Sequence, residues 1–390
     1  MKKDIAVTIV LTSTCNMACA YCINNSGNDL KISNSANEWE SCDNIIACLK
    51  KIEEVRHITS VKLFGGEPTL CNDLIHELLM RKKEFSPDDS VKFAMTTNAL
   101  QEITDKTLDE FIENRMILNV SLDGPEHIHN LYRVTRAGAG TYAPVIKNIQ
   151  KIKDRKYPFA AIAVLDERLV LENYSLTKLC DFLSEITPIY KIEPAYCIKG
   201  SRLHTTADVQ TELLAQEKQL IDSMFSSIKL LSTDGLIYEN NITRTICNAV
   251  YGNNKKYVCS AGNHIAVYPN CSAYSCYNLM NKDFLISKDL RTIDSKDLDD
   301  VLKQKQSLLE VSRYPKEYKD VEVFGDYCAK ENNFTSFAYK YRKTMVDTVL
   351  ENLRSIEPGS QEHLGLMGYI GFATNSEFYK NVPDHHHLIS

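Results

Sequence analysis

Short apolar runs alternate with longer segments of helical periodicity over about the first 200 residues, and this alternation limits the fold more than any other feature of the chain. The apolar runs predict six strands, at residues 5–11, 60–64, 91–97, 116–122, 159–165 and 189–197. The segments between them predict helices at 37–55, 72–84, 104–114, 142–154 and 172–185. Strands that alternate with helices in this way form parallel sheets covered by helices, so the sequence predicts an α/β fold. Periodicity alone allows either an open doubly wound sheet or an incomplete barrel.

The pattern changes after about residue 200 of the 390. A helical stretch covers 207–232, and a polar region in which cysteines reappear follows it. We therefore expect a large domain over residues 1–235 and a smaller one over 236–332. The remaining segment, 333–390, predicts one helix near 336–354 and a variable tail.

Composition argues against several classes of partner. The formal net charge is -6 and the isoelectric point is near 6.0, so we expect neither nucleic acid nor an anionic membrane to bind. The apolar run near the N-terminus is too short for a signal peptide, no stretch approaches a membrane span, and we expect a cytoplasmic protein. In a reducing compartment, 13 cysteines favour metal binding or catalysis over a disulfide framework.

Three cysteines lie directly after the first predicted strand, in the sequence TCNMACAYC. Cys15, Cys19 and Cys22 have the spacing C-x3-C-x2-C. Thiolates at this spacing can bind one metal centre, either zinc or an iron–sulfur cluster. Structural zinc prefers four ligands in two pairs, and no fourth cysteine follows within the next nineteen residues. Three thiolates on a four-iron cluster would instead leave one iron open to a substrate or cofactor, at the edge where α/β folds place their chemistry.

Short motifs also end the next three predicted strands. FGGEP closes the second strand at residues 64–68, TTN closes the third at 96–98, and SLDG closes the fourth at 121–124. Paired glycines let the backbone approach a neighbouring group closely, and the Glu67 carboxylate suits an ammonium group. Gly65, Gly66, Glu67 and Pro68 belong to the first of these motifs, Asn98 belongs to the second, and Ser121 and Asp123 belong to the third.

The cysteine spacing, the aromatic Tyr21 before the third cysteine and the ordered motifs resemble the radical S-adenosylmethionine (SAM) superfamily over roughly residues 5–330. The resemblance implies a partial (β/α)6 barrel of the TIM type with a small C-terminal iron–sulfur domain. It also implies a [4Fe–4S] cluster on the cysteine triplet, with SAM bound to the open iron beside Tyr21.

The same resemblance assigns contacts to the cofactor. It implies that the GGEP motif, Gly65 to Pro68, holds the SAM amino group, that Ser121 contacts SAM, and that Arg133 reaches its carboxylate. It also makes Asn98 and Asp123 candidate cofactor-binding residues. Reductive cleavage of SAM, with an electron from a reductant such as flavodoxin or ferredoxin, would give a 5'-deoxyadenosyl radical. That radical would take a hydrogen atom from an unactivated C–H bond, while the protein binds, orients and excludes water.

A second set of cysteines lies in the C-terminal region. Cys259, Cys276 and Cys328 resemble the ligands of the superfamily's twitch or SPASM extension, and Cys271 stands where that pattern has a turn glycine. A side chain there puts the left-handed backbone of the turn in question, unless the preceding asparagine adopts it. The resemblance implies one auxiliary [4Fe–4S] cluster, with a zinc ribbon as the alternative. Its fourth ligand is open between Cys247, which we favour, Cys271 and an exogenous group.

The sequence indicates the reaction less precisely than it indicates the cofactors. Sulfatase-maturing members of the superfamily resemble this chain in length, but they have an aspartate where this chain has Tyr277, and they have a second auxiliary cluster. We therefore expect maturation of a ribosomally made precursor peptide, with Tyr277 as a candidate for proton or hydrogen-atom transfer or as a packed side chain. The alternatives are a small-molecule radical SAM dehydrogenase and a non-catalytic metal-binding protein.

Overall fold

The computed structural model describes residues 2–22, 39–195, 206–232, 236–251, 263–275, 277, 282–307 and 337–375. The strands within these ranges are β1 (Lys3–Thr12), β2 (Arg56–Gly65), β3 (Lys92–Thr97), β4 (Ile117–Ser121), β5 (Phe159–Leu165), β6 (Tyr190–Pro194), β7 (His264–Val267), β8 (Ala273–Tyr274) and β9 (Leu285–Ser287). The helices are α1 (Cys42–Val55), α2 (Asn72–Met80), α3 (Asp105–Glu113), α4 (Glu126–Tyr132), α5 (Tyr142–Asp154), α6 (Arg168–Leu171), α7 (Leu176–Ile186), α8 (Ala207–Lys229), α9 (Asn240–Tyr251), α10 (Ser295–Ser307), α11 (Phe337–Arg354) and α12 (Gln361–Asn375).

The strands of the described part of the chain form one sheet, in the order β6–β5–β4–β3–β2–β1–β7–β8–β9. The first six strands are parallel, and each lies beside the strand that precedes it in the chain. A strand order that follows the chain without reversal is that of an incomplete barrel, whereas a doubly wound sheet reverses direction near its middle. The structure thus confirms the predicted fold class and decides between the two alternatives.

A hairpin from the C-terminal half extends the sheet beyond β1. β7 is parallel to β1, with Ala6 paired to His264 and Ile9 paired to Val267. The short strands β8 and β9 then continue antiparallel. These strands are only two to four residues long, and the sequence did not predict their bounds. The sheet therefore continues past residue 235, and the three-part domain division remains a prediction.

Side chains on the barrel strands alternate between two faces. On β1 the apolar residues Ile5, Val7, Ile9 and Leu11 are buried in the main core, which the helices around the sheet complete. The opposite face lines the inside of the barrel, which we call the lumen. The lumen-facing positions are Thr8, Val10, Lys62, Phe64, Lys92, Ala94, Thr96, Ile117, Asn119, Ser121, Ala160, Ile162, Val164, Lys191, Glu193, His264 and Ala266.

The chain after residue 333 contains more helix than the sequence indicated. Besides α11, which matches the predicted 336–354, the structure has α12 where a variable tail was predicted. Glycines disfavour helices, but a Cβ built on Gly365 would lie 2.1 Å from the Ile228 carbonyl oxygen, so this glycine permits close packing on α8. No helix in the described ranges is both long and apolar enough to cross a membrane.

Candidate functional site

The clustered cysteines share one loop at the carboxyl end of β1. Cys15, Cys19 and Cys22 are half-buried free thiols. Burial raises the pKa of Cys19 to about 11; the positive charge of Arg133 opposes the rise, and the thiols of Cys22 and Cys15 add to it. Each thiolate would raise the pKa of the neighbouring thiols. A bound metal centre would therefore be needed to stabilise three thiolates at neutral pH.

Among the described residues, no three His, Cys, Asp or Glu side chains come together in a way that could hold one ion. A tetrahedral zinc site would bring its sulfurs to about 3.8 Å from each other, given Zn–S bonds of about 2.3 Å. An iron–sulfur cluster binds each thiolate through a different iron, which spreads the ligands further apart. The two kinds of centre therefore require different spacings between the three thiols.

Backbone hydrogen bonds hold the cysteine loop against the segment that follows α4. The Ala18 amide donates to the Val134 carbonyl at 2.8 Å, and the Ala20 amide donates to the Tyr132 carbonyl at 3.2 Å. A further isolated bridge pairs Met17 with residue 135. These bonds fix the loop backbone between the cysteines, as a site that must present three ligands at once requires.

A buried cluster of charges fixes Tyr21 within the loop. The Tyr21 hydroxyl donates to the Asp123 carboxylate and accepts from Arg133 Nη1 at 2.7 Å. Arg168 Nη2 donates to Asp123 Oδ2 at 3.1 Å and to Asp166 Oδ2 at 2.6 Å. Burial works to raise the pKa of Asp123, but Arg168 and Arg133 hold it below its usual range. Two guanidinium groups and two carboxylates thus balance in charge behind the loop.

The paired glycines at the end of β2 bring two backbone segments together. Gly65 has a φ of +143°, and a Cβ built on it would lie 2.2 Å from the Thr12 carbonyl oxygen. A Cβ on Gly66 would lie 2.1 Å from the Thr14 carbonyl oxygen. The Glu67 amide donates to that same Thr14 carbonyl at 2.9 Å. The group that these glycines accommodate in the structure is therefore the backbone leading into the cysteine loop.

Most of the acceptor capacity of Glu67 is used by the chain itself. Its Oε1 accepts from the Thr69 amide at 3.1 Å, the Thr69 hydroxyl at 2.8 Å and the Thr97 hydroxyl at 2.7 Å. Its Oε2 accepts from the Asn98 amide at 2.7 Å. Oε2 accepts this one hydrogen bond among those given for the described residues, so it retains an acceptor position for a ligand. Glu67 therefore ties β2 to β3 and can still bind an ammonium group.

The predicted residues on β3 and β4 lie at the same edge of the barrel. Asn98 is buried, and its Nδ2 lies 2.8 Å from Asn16 Oδ1 and 3.7 Å from Cys15 Sγ. Ser121 ends β4 and is half-buried, whereas Pro68 is buried at the start of a short helical turn. The structure thus brings Asn98 directly to the first cysteine.

Arg133 has a buried donor that no hydrogen bond satisfies in the described part of the structure. Its side chain is enclosed, Nη1 binds Tyr21, and Nε has no acceptor. An unsatisfied buried donor is costly, at about 1–3 kcal/mol, and more for a charged group. A ligand carboxylate would satisfy it, which is the role that the sequence resemblance implied for this residue.

Three further buried residues support this site and were not among the predicted ones, namely Asp166, Arg168 and His129. Asp166 and Arg168 follow the carboxyl end of β5, as Glu67 follows β2, and that position is the signal that could have identified them. His129 Nδ1 accepts a hydrogen bond from the Asp123 backbone amide at 3.4 Å. Burial, with Arg133 acting in the same direction, lowers the pKa of His129 to about 3, so the ring is neutral.

Three of the predicted auxiliary ligands, Cys259, Cys276 and Cys328, lie outside the described residues. Cys247 is half-buried on α9, and burial raises its pKa to about 11. The Cys247 side chain packs against the main core but keeps exposed surface, so Cys247 stays a candidate ligand.

Cys271 faces the core of the molecule. Its thiol hydrogen bonds with that of Cys48 on α1, and both side chains are buried. Its φ of +59° shows that Cys271 itself adopts the left-handed conformation, and the alternative that Asn270 does so is wrong. The Asn270 side chain instead accepts from the Ser272 amide at 3.0 Å, which closes the turn.

Tyr277 lies against the lumen wall. Its ring centroid is 4.7 Å from that of Phe64 and 6.2 Å from that of His264. Its carbonyl accepts from the Tyr268 hydroxyl at 2.7 Å. These contacts agree with a packed side chain, and a catalytic role for Tyr277 stays a prediction.

In the described residues, an incomplete parallel barrel carries a three-cysteine loop at its mouth. Residues 9–179 match the family model of the radical SAM superfamily, so the chain contains a radical SAM domain. This match confirms the family resemblance seen in the sequence.

Curated relatives share the first part of the chain. A cysteine-type anaerobic sulfatase-maturating enzyme of Clostridium perfringens (strain ATCC 13124) is 28% identical over 195 residues, which are 48% of this chain and 52% of that enzyme. A serine-type anaerobic sulfatase-maturating enzyme of Bacteroides thetaiotaomicron is 26% identical over 161 residues, 40% of this chain and 38% of that enzyme. The chain thus spans about half the length, or less, of these relatives.

Solved structures resemble the whole barrel. The structure of native anSMEcpe with bound AdoMet has a TM-score of 0.70 at 18% identity, covering 95% of this chain and 99% of that one. Streptococcus suis SuiB bound to S-adenosylmethionine has a TM-score of 0.50 at 16% identity, covering 87% and 72%. At these identities the likeness establishes the fold.

Proposed function

We propose that the protein is a radical SAM enzyme that acts on a peptide or protein. The observation that carries this proposal is the thiol loop of the radical SAM domain, flanked by an acceptor at Glu67 and a buried unsatisfied donor at Arg133. A ligand with an ammonium and a carboxylate group, as at the amino-acid end of SAM, matches that pair of groups.

The residues present fit the two cofactors. Cys15, Cys19 and Cys22 would bind the [4Fe–4S] cluster, while Glu67 and Arg133 would bind the amino and carboxylate groups of SAM. When bound, the cluster and SAM supply a 5'-deoxyadenosyl radical able to take hydrogen from a C–H bond. The chain's own part is to hold the loop rigid and to keep water from the barrel mouth.

A peptide substrate is supported by the relatives. The curated relatives are named as sulfatase-maturating enzymes, and a structural neighbour with a TM-score of 0.70 is native anSMEcpe with bound AdoMet and Cp18Cys peptide. Our proposal is maturation of a ribosomally made peptide. Oxidation of a sulfatase cysteine or serine is the second candidate, favoured by those same relatives. Against it, this chain has Tyr277 at the position where we expect an aspartate in sulfatase-maturing members of the superfamily.

One incubation series tests the proposed substrate. Reconstituted protein, SAM and dithionite would be incubated without oxygen with peptides encoded beside the gene and, separately, with a sulfatase-motif peptide. Mass spectrometry should find a SAM-dependent mass loss in a neighbouring peptide, in parallel with 5'-deoxyadenosine. Conversion of only the sulfatase peptide would support the second candidate, and turnover of neither peptide, with 5'-deoxyadenosine still formed, would contradict the peptide assignment.

We also propose one auxiliary [4Fe–4S] cluster, bound by Cys259, Cys276, Cys328 and Cys247. The thiol contact between Cys271 and Cys48 supports Cys247 as the fourth ligand, because it directs Cys271 into the core. Two four-iron clusters would give about eight irons per chain. Cys247→Ser should lower the iron content toward four and Cys271→Ser should not, whereas close to four irons in fully reconstituted wild type would contradict the second cluster.

A further inference from the structure

Helix α12 is apolar on all sides over most of its length. From Leu364 to Ala373 the sequence is LGLMGYIGFA, in which no residue is charged and the hydroxyl of Tyr369 is the one polar side-chain group. A surface helix normally turns a polar face to the solvent, and a helix that is apolar all round is normally buried. The sequence of α12 therefore predicts that both of its faces are covered.

The rest of the chain covers one of these faces. Leu366, Tyr369 and Ile370 are buried and belong to the main core. The Tyr369 hydroxyl donates to the Ile237 carbonyl at 2.8 Å, and the Tyr369 ring stacks on that of Tyr238 with 5.1 Å between the centroids. The polar group of α12 is thus used within the chain, on the covered face.

The opposite face of α12 is exposed in the described part of the structure. Leu364, Met367 and Phe372 are 65%, 38% and 62% exposed, at the spacing i, i+3 and i+8 that places side chains on one side of a helix. Gly368 and Gly371 lie between them, and a Cβ built on either glycine would meet nothing within 4 Å. This face therefore offers apolar side chains with open space beside the helix backbone.

The exposed apolar surface continues onto the end of α8. The Leu231 side chain would lie 3.0 Å from a Cβ built on Gly365, so it borders α12, and Leu230 and Leu231 are 78% and 51% exposed. We call the five exposed side chains the α12 patch, namely Leu230, Leu231, Leu364, Met367 and Phe372. At these exposed fractions each side chain offers on the order of 100 Å², so the patch presents about 500 Å², which is near the upper end for a monomer.

We propose that the α12 patch binds the α12 patch of a second copy of this chain, in a dimer with twofold symmetry. Two patches would bury about 1,000 Å² in total, which is the area that a specific interface needs. A twofold interface brings the same surface of both copies together, so it must be complementary to itself. An apolar helix face without charged side chains meets this condition, because no ion is desolvated and no like charges are opposed.

Sedimentation equilibrium of the anaerobically reconstituted protein tests the dimer. An interface of this size predicts a dimer that dissociates at micromolar concentrations. Leu364→Glu should raise the dissociation constant at least about 100-fold, because twofold symmetry brings two like charges into one apolar interface. Phe372→Glu should do the same and provides a second variant should the first not fold. Met80→Glu is the matched control, because Met80 is 72% exposed on α2, outside the patch, and it should keep the wild-type constant.

A wild type that stays monomeric up to millimolar concentrations would overturn the proposal, as would equal dissociation constants for the wild type and both patch variants. A monomeric wild type whose thermal midpoint falls in Leu364→Glu would mean that another segment of the same chain covers the patch, which also overturns it. No patch residue belongs to the candidate site, so the variants should form 5'-deoxyadenosine as the wild type does. A failure of the dimer and a failure of the proposed function are therefore distinguishable.

Discussion

Arg168→Met tests whether the buried charge cluster supports the cysteine loop. Arg168 is 1% exposed, and its guanidinium binds Asp123, Asp166 and the Ile128 carbonyl. Methionine preserves much of the length of the side chain but removes its charge and donors, which leaves Arg133 to balance two buried carboxylates. Breaking a buried ion pair from one side typically costs about 3–5 kcal/mol, so we expect a loss of that order in the free energy of unfolding.

The expected loss depends on pH in a defined direction. Burial raises the pKa of Asp166 to about 6 even with Arg168 present, and removing Arg168 should raise the pKa values of both Asp166 and Asp123. A carboxyl whose pKa is raised in the folded state favours folding when protonated. The deficit of the variant should therefore be largest at pH 7.5 and shrink as pH falls toward 5.

Anaerobic urea unfolding at the two pH values measures this effect. Arg155→Met is the matched control, because Arg155 pairs with Asp109 on the surface, where ion pairs contribute at most about 1 kcal/mol. The iron content of reconstituted Arg168→Met should also fall, since Tyr21 loses part of its support. Equal losses in the two variants at both pH values would refute the reasoning.

Two further predictions concern backbone contact and protonation. Gly66→Ala should lower iron uptake, because its Cβ would lie 2.1 Å from the Thr14 carbonyl oxygen, whereas Gly368→Ala on α12 meets nothing within 4 Å and should bind iron normally. Equal iron contents would contradict this. Burial raises the pKa of Glu217, which accepts from the Tyr341 hydroxyl, to about 8. The stability that the Glu217 proton provides should therefore decline as pH rises from about 4.5 to 8. Thermal midpoints measured over this range should fall less steeply for Glu217→Gln than for the wild type. The same pH dependence of the midpoint in both proteins would contradict this role of Glu217.

Most of the barrel could be predicted from sequence because its elements carry their own local signals. The bounds of β5 and α5 were predicted correctly at 159–165 and 142–154, because the periodic apolar residues of each element lie between clear turn signals. The bounds of β7 to β9 could not be predicted because two to four residues are too few for a periodic pattern, and the position of β7 depends on its pairing with β1. α12 was missed because packing on α8 overrides its glycine-rich composition.

The candidate site was predictable only where its residues form local motifs. The cysteine loop and Glu67 lie in short motifs at strand ends, and the structure places both at the mouth of the barrel. Arg168 was not predictable in this way, because its ion pair with Asp123 joins residues 45 positions apart. The lumen charges likewise follow from strand register, which sets Lys62 opposite Ala94 and Lys191 opposite Ile162.

The most direct measurement of the central claim is 5'-deoxyadenosine formed from SAM by anaerobically reconstituted protein with dithionite. The wild type should form it. The variant with Cys15, Cys19 and Cys22 all changed to alanine should form none, while keeping the iron of the proposed auxiliary cluster. The same yield of 5'-deoxyadenosine from the triple variant as from the wild type would contradict the account.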